Sequence, residues 1–131
     1  SIGRGTTMPF EVFGHDHVPL GDFVFTPVSM PGKSLRPKLQ NQRVLGRNLS
    51  NETSRGLSLT WLIDARNTFA ANQQILFTRP DFMDLLAGTD KLRKAIQSGV
   101  DEQTIRASWQ QGLSHYRKRR LPYLLYPDVS K

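Results

Sequence analysis

The sequence predicts an α+β domain, with a small antiparallel sheet followed by about four helices. Two observations carry this reading. Short β-branched and aromatic runs between glycines and prolines are confined to residues 1–55, and after them the apolar period becomes that of a helix. Strands first and helices after is the order of an α+β chain. A length of 131 residues suits one domain with a real core, and 37% hydrophobic against 22% charged residues is a balance that folds.

The strongest strand signal is Phe23-Val24-Phe25-Thr26-Pro27-Val28, bounded by Gly21 and Pro31, with Pro27 pointing to an edge or a strand end. Residues 42–49 form a weaker second strand through Val44, Leu45 and Leu49, and 31–37 (Pro-Gly-Lys-Ser-Leu-Arg-Pro) read as the loop between them. The two strands are expected to pair antiparallel. Ser58 is placed to cap a helix that presents Leu59, Leu62, Ile63 and Phe69. Pro80 suits a first helical turn, with Phe82, Leu85 and Leu86 following before Gly88 stops it. Thr89 is placed to cap a short helix with Leu92, Ala95 and Ile96, ended by Ser98-Gly99. Asp101 is placed to cap the longest one, through Ile105, Trp109, Leu113 and Tyr116. Pro122 ends that helix, and Tyr123-Leu124-Leu125-Tyr126 reads as an apolar tail that packs back on the core.

Without cysteine the chain has neither a disulfide nor a thiolate metal site. No apolar run approaches the roughly 20 residues of a membrane span. The net charge of +7 is concentrated in two places: residues 33–55, with Lys33, Arg36, Lys38, Arg43, Arg47 and Arg55 against Glu52, and the run Arg117-Lys118-Arg119-Arg120. Such patches favour a polyanionic partner. From its opening at Ser1, without an initiator Met, the chain is expected to be a piece of a longer polypeptide.

Several segments in order carry a resemblance. They are Ser1-Ile2-Gly3-Arg4-Gly5-Thr6, Pro9-Phe10-Glu11 and Phe13-Gly14; then Phe25-Thr26-Pro27-Val28-Ser29-Met30-Pro31-Gly32; then Leu86-Ala87-Gly88-Thr89-Asp90-Lys91-Leu92-Arg93, Ile105-Arg106-Ala107-Ser108-Trp109 and Tyr123-Leu124-Leu125-Tyr126. Together they resemble the C-terminal half of the bacterial exo-β-N-acetylmuramidases. The resemblance implies that residues 1–131 are the auxiliary C-terminal domain of a two-domain glycosidase. A Rossmann-like N-terminal domain would be its partner within the same polypeptide, and residues 1–14 would line the cleft between them. Enzymes of this kind release N-acetylmuramic acid from the non-reducing ends of peptidoglycan fragments. Their catalytic carboxylates are expected upstream of this chain, so no catalytic residue is assigned here and the piece alone is expected to be inactive. Export to the periplasm or the cell exterior is expected on the same ground. No cofactor is implied.

Beside that resemblance, the substrate-binding residues expected in this chain are Arg4, Gly5, Thr6, Phe10 and Glu11. Glycines let backbone N–H groups approach a sugar closely. The guanidinium of Arg4 matches the lactyl carboxylate that distinguishes N-acetylmuramic acid from N-acetylglucosamine. Glu11 suits a sugar hydroxyl, an orienting contact to Arg4 or an ordinary ion pair, and hydrolysis itself needs two carboxyl groups flanking the scissile bond. From the residues alone, Gly3-Arg4-Gly5-Thr6 is a tight turn, too short for a phosphate-binding fingerprint.

His15-Asp16-His17 lacks the spacing and the third ligand of a zinc site and reads as a solvated loop, with no metal expected. His115 reads as a surface residue. Trp61, Trp109 and Tyr116 read as core. The cations at 117–120 suit the negative end of a helix. The alternative reading is a noncatalytic module that docks on anionic cell wall or nucleic acid through the basic patches. Without aromatic residues interleaved for base contact, nucleic acid is the less expected ligand.

Overall fold

The computed structural model describes residues 1–53 and 56–126, so Arg55, the last cation of the first basic stretch, lies outside the described residues. The chain divides into two compact units, Ser1–Thr78 and Arg79–Lys131.

The first unit holds a three-stranded antiparallel sheet of β1 (Val12–His15), β2 (Phe23–Phe25) and β3 (Val44–Asn48), in the order β1-β3-β2. The expected pairing of β2 with β3 is present, with Phe23 opposite Gly46 and Phe25 opposite Val44. β1 adds itself to the other edge of β3, with Val12 opposite Asn48 and His15 opposite Leu45. That register sorts the side chains by the two-residue period of a strand. On one face Val12, Phe25 and Val44 form a buried cluster, with Met8, Phe23 and Leu39 packed against it. On the other, Phe13 packs against Val18, Leu20, Ala65 and Phe69, a cluster that includes buried residues of α1 (Thr60–Ala71). Each fully buried Val or Phe contributes about 1.5–3 kcal/mol by leaving water.

Helix α1 starts one residue later than the capping pattern indicates. Leu59 holds the cap position, while the Ser58 hydroxyl accepts the Thr60 N–H at 3.2 Å. A stagger of one residue is common at frayed helix ends.

The second unit contains α2 (Pro80–Ala87), α3 (Lys91–Gln97) and α4 (Glu102–Arg120), then a 3-10 turn over Leu121–Tyr123. Pro80 occupies the first turn of α2, and Gly88 ends it in the left-handed conformation at φ 71°. Asp90, not Thr89, holds the cap position of α3, and the Thr89 hydroxyl accepts the Lys91 N–H at 3.2 Å. Asp101 caps α4 by accepting the Thr104 N–H at 2.8 Å. Ile96 and Ile105 are the buried anchors of α3 and α4. Two expectations fail in this unit. Tyr116 is exposed rather than core, and residues 123–126 do not pack back: Tyr123, Leu125 and Tyr126 are 82%, 91% and 81% exposed. Apolar composition implies burial only where the chain supplies a facing surface.

Arg93 locks α3 onto α2 with a two-pronged bond to Asp84, Nε to Oδ1 at 2.8 Å and the terminal nitrogen to Oδ2 at 2.7 Å. This bond holds the Asp84 carboxyl below its ordinary range. Hydrogen bonds from Lys94 and from Thr104 do the same for Asp90 and Asp101. A carboxyl whose folded pKa lies below its unfolded value stabilises the fold fully above the unfolded value, near pH 4, and loses that contribution as pH falls through the folded value. The second unit is therefore expected to lose thermal stability below about pH 4. Fluorescence of Trp109 in a Trp61→Phe variant reads this unit alone, and a midpoint unchanged between pH 5 and pH 2.5 would contradict the assignment.

Candidate functional site

The opening segment is a closed loop fastened beside β1. The Ser1 nitrogen donates to Gly14 O at 2.7 Å, the Gly14 N–H donates back to Ser1 O at 2.9 Å, and the Phe10 N–H donates to Ile2 O at 2.9 Å. Inside the loop, the Thr6 hydroxyl donates to Gly3 O at 2.6 Å and accepts the Met8 N–H at 3.0 Å. The Val28 N–H reaches in to Gly5 O at 2.8 Å, tying the loop to the chain beyond β2. Gly3 and Gly5 are buried and take positive φ, 75° and 83°. A Cβ on Gly5 would stand 2.6 Å from Val28 O and from Pro37 Cγ, so no larger residue fits there.

This frame presents two side chains to solvent. Phe10 holds φ 67° and is 67% exposed. A bulky residue in the left-handed region is a genuine outlier that costs about 1 kcal/mol or more. The Arg4 guanidinium carbon lies 5.3 Å from the centroid of that ring, inside cation–π range. Arg4 thus stands as a cation supported by an aromatic face. Glu11 is turned away from it: its Oε2 lies 3.0 Å from Ser50 Oγ, which also lies 2.5 Å from Asn48 Oδ1. Arg4 and Phe10 are brought together, Gly5 and Thr6 hold the loop, and Glu11 bonds to Ser50 just beyond β3.

A cleft of about 620 Å³ opens beside the loop, within the first unit. Its walls include Ile2, Phe13, Trp61, Phe69 and Ile75, with His15 and Lys38 as polar members. None of Arg4, Gly5, Thr6, Phe10 and Glu11 lines it. Trp61, which the helical spacing assigns to the core, is half-buried and carries the Arg47 guanidinium over its ring at 4.8 Å, with Asp64 at 3.9 Å from Arg47. His15 is no free loop residue either. It ends β1, meets the Phe69 ring edge-on at 5.1 Å, and its Nδ1 lies 3.2 Å from both the His17 and the Val18 N–H. Burial lowers its pKa, an effect the neighbouring Asp16 carboxylate partly offsets. Among the described residues, no group of three or more His, Cys, Asp or Glu is placed to hold a metal ion. No helix among them is long and apolar enough to cross a membrane. His115 and the cations 117–119 are exposed on α4.

The sequence profile of the exo-β-N-acetylmuramidase NamZ C-terminal region matches residues 1–126. The chain belongs to the NamZ C-terminal family. A crystal structure of a DUF1343 family protein from Bacteroides fragilis is similar at 40% identity, with a TM-score of 0.84 over 98% of this chain. The chain spans 36% of that protein. No curated protein matches it. Within the NamZ C-terminal fold, the segments that carried the resemblance divide by role. Gly88 and Arg93 terminate and fasten helices, whereas the opening loop spends backbone strain on an exposed aromatic ring.

Proposed function

We propose that this chain is the C-terminal part of an exo-acting glycoside hydrolase that releases N-acetylmuramic acid from non-reducing ends of peptidoglycan fragments. This piece closes the cleft between itself and the Rossmann-like N-terminal domain of the same polypeptide and helps bind the muramyl sugar, while the catalytic carboxylates come from that domain. The observation that carries the reading is the pairing of Arg4 with Phe10 on a loop fastened by backbone hydrogen bonds to Gly14 and Val28. A ring with one open face stacks on the apolar face of a sugar, and a guanidinium beside it takes a carboxylate on two prongs. N-acetylmuramic acid offers both groups a few bonds apart; N-acetylglucosamine lacks the carboxylate. A periplasmic or extracellular location goes with this reading on the ground of the family resemblance.

In the full-length polypeptide, Arg4→Ala is expected to lower kcat/KM on a muramyl substrate by about 10–100-fold, the worth of one charged hydrogen-bonding contact. Preference over the glucosaminyl analogue should fall with it. Phe10→Asn, a residue that tolerates positive φ, should leave the melting temperature unchanged or raised while weakening the same substrate. Full activity with unchanged sugar preference in Arg4→Ala would remove the loop from the binding site.

A further inference from the structure

The second half of α4 and the segment after it have no surface to rest on within the described residues. Every residue of 110–119 is exposed, and so is every residue of 121–126. Helix packing, more than intrinsic propensity, is what normally stabilises a helix in water, so a half-helix with every side open is half of an interface. Its apolar content fits that description. Leu113 and Tyr116 are three apart on one side, Leu121 follows, and Tyr123, Leu125 and Tyr126 are the most exposed large hydrophobic residues of the unit. Seven large apolar side chains are exposed within fourteen residues, where single scattered ones are the ordinary case.

We propose that this arm, Leu113 through Tyr126, docks onto the remainder of the same polypeptide, at an apolar surface rimmed by carboxylates. The solved relative supplies the argument for the occupant: nearly two thirds of its chain lies outside the region that this chain matches, so a family polypeptide has ample surface to cover the arm. Charge supplies the argument for its character. Arg117, Lys118 and Arg119 are successive and exposed, and at about 100° per residue they stand around the helix end. An encircling belt of cations next to a Tyr-Leu-Leu-Tyr segment calls for an apolar seat with an acidic rim. The same belt disfavours a lipid surface, because a helix lying in a membrane interface needs one uninterrupted apolar side. The docking rests on family membership and is independent of the sugar-binding reading.

Amide hydrogen exchange of the full-length polypeptide tests this without any sugar present. Docking predicts that the amides of 123–126 exchange about 100-fold or more below their intrinsic rate, and that Leu125→Asp restores fast exchange there. The same variant should lower the melting temperature of the full-length protein by several degrees, since a charge is then placed in an apolar seat. Exchange of 123–126 at the intrinsic rate in the wild type would overturn the proposal. So would protection that appears only on adding phosphatidylglycerol vesicles, which would assign the arm to a membrane. Protection that rises with protein concentration would assign it to a second copy and equally overturn it.

Discussion

Gly46→Ala is expected to unfold the first unit or to leave it only marginally stable. Gly46 is the middle residue of the central strand, opposite Gly14 on β1 and Phe23 on β2. A Cβ at this position would overlap Phe13 O and stand 2.6 Å from Gly14 Cα, both backbone atoms of β1 that no rotamer change can move. To admit the methyl group, β1 must separate from β3, which opens the ladder and the cluster of Val12, Phe25 and Val44 behind it. Overpacking costs typically 1–3 kcal/mol where side chains can yield; with backbone on the far side and a core cluster lost, about 3–5 kcal/mol is the expected scale. Against a total stability of about 5–15 kcal/mol, that change dominates. Thermal unfolding followed through Trp61, with Trp109 replaced by Phe, reads this unit by itself. A midpoint within a degree or two of the unsubstituted protein would mean that β1 is not paired as described.

The strand that makes Gly46 indispensable is also the one that the sequence conceals. β2 and β3 announce themselves through Phe23, Val24, Phe25, Val44 and Leu45, residue types that favour an extended, half-buried backbone. β1 reads Val-Phe-Gly-His, four residues with a glycine in the middle, and nothing local marks it as a strand. Its existence depends on pairing between residues 30 to 36 positions apart, the kind of information that local pattern does not contain. The helices were legible because capping and period are local, and their starts shifted by one residue at Leu59 and Asp90 where a hydroxyl serves from just outside. The tail at 123–126 misled for the opposite reason, since its composition is that of a core and the described residues supply no surface that covers it.

The site divides the same way. Arg4 and Phe10 stand out in the sequence only as members of a recognisable run of motifs, and their contact could not be read from spacing. It requires Phe10 to adopt φ 67°, which no propensity argument selects for a phenylalanine. Trp61 was hidden by its helical register: the position that points an aromatic ring toward the sheet also brings it to the edge of the cleft, under Arg47. His15 was hidden by its neighbours, because a His-Asp-His run looks like a solvated turn until Phe69 from α1 closes over its ring. In each case a contact between distant segments decides the role.

Gly5→Ala is expected to couple the two levels, stability and recognition, in one variant. The residue holds φ 83°, where an L side chain costs about 1–2 kcal/mol, and its Cβ would meet Val28 O and Pro37 at 2.6 Å. Strain and overpacking together come to about 2–5 kcal/mol. The loop can avoid part of that cost only by breaking the Val28 N–H bond to Gly5 O and lifting away from the chain beyond β2. Arg4 then moves off the Phe10 ring, because only the backbone between Gly3 and Phe10 holds the two together. The full-length protein carrying Gly5→Ala should therefore lose affinity for a muramyl sugar at temperatures where circular dichroism still shows it folded. Arg4→Ala should lose affinity with no change in melting temperature, since the guanidinium is exposed and its only described partner is the ring. If Gly5→Ala lowers the melting temperature and leaves muramyl affinity intact below it, the loop is a structural clasp and the sugar is held elsewhere. Loss of affinity in both variants, with loss of stability in Gly5→Ala alone, is the pattern of a rigid loop that exists to position one cation and one ring.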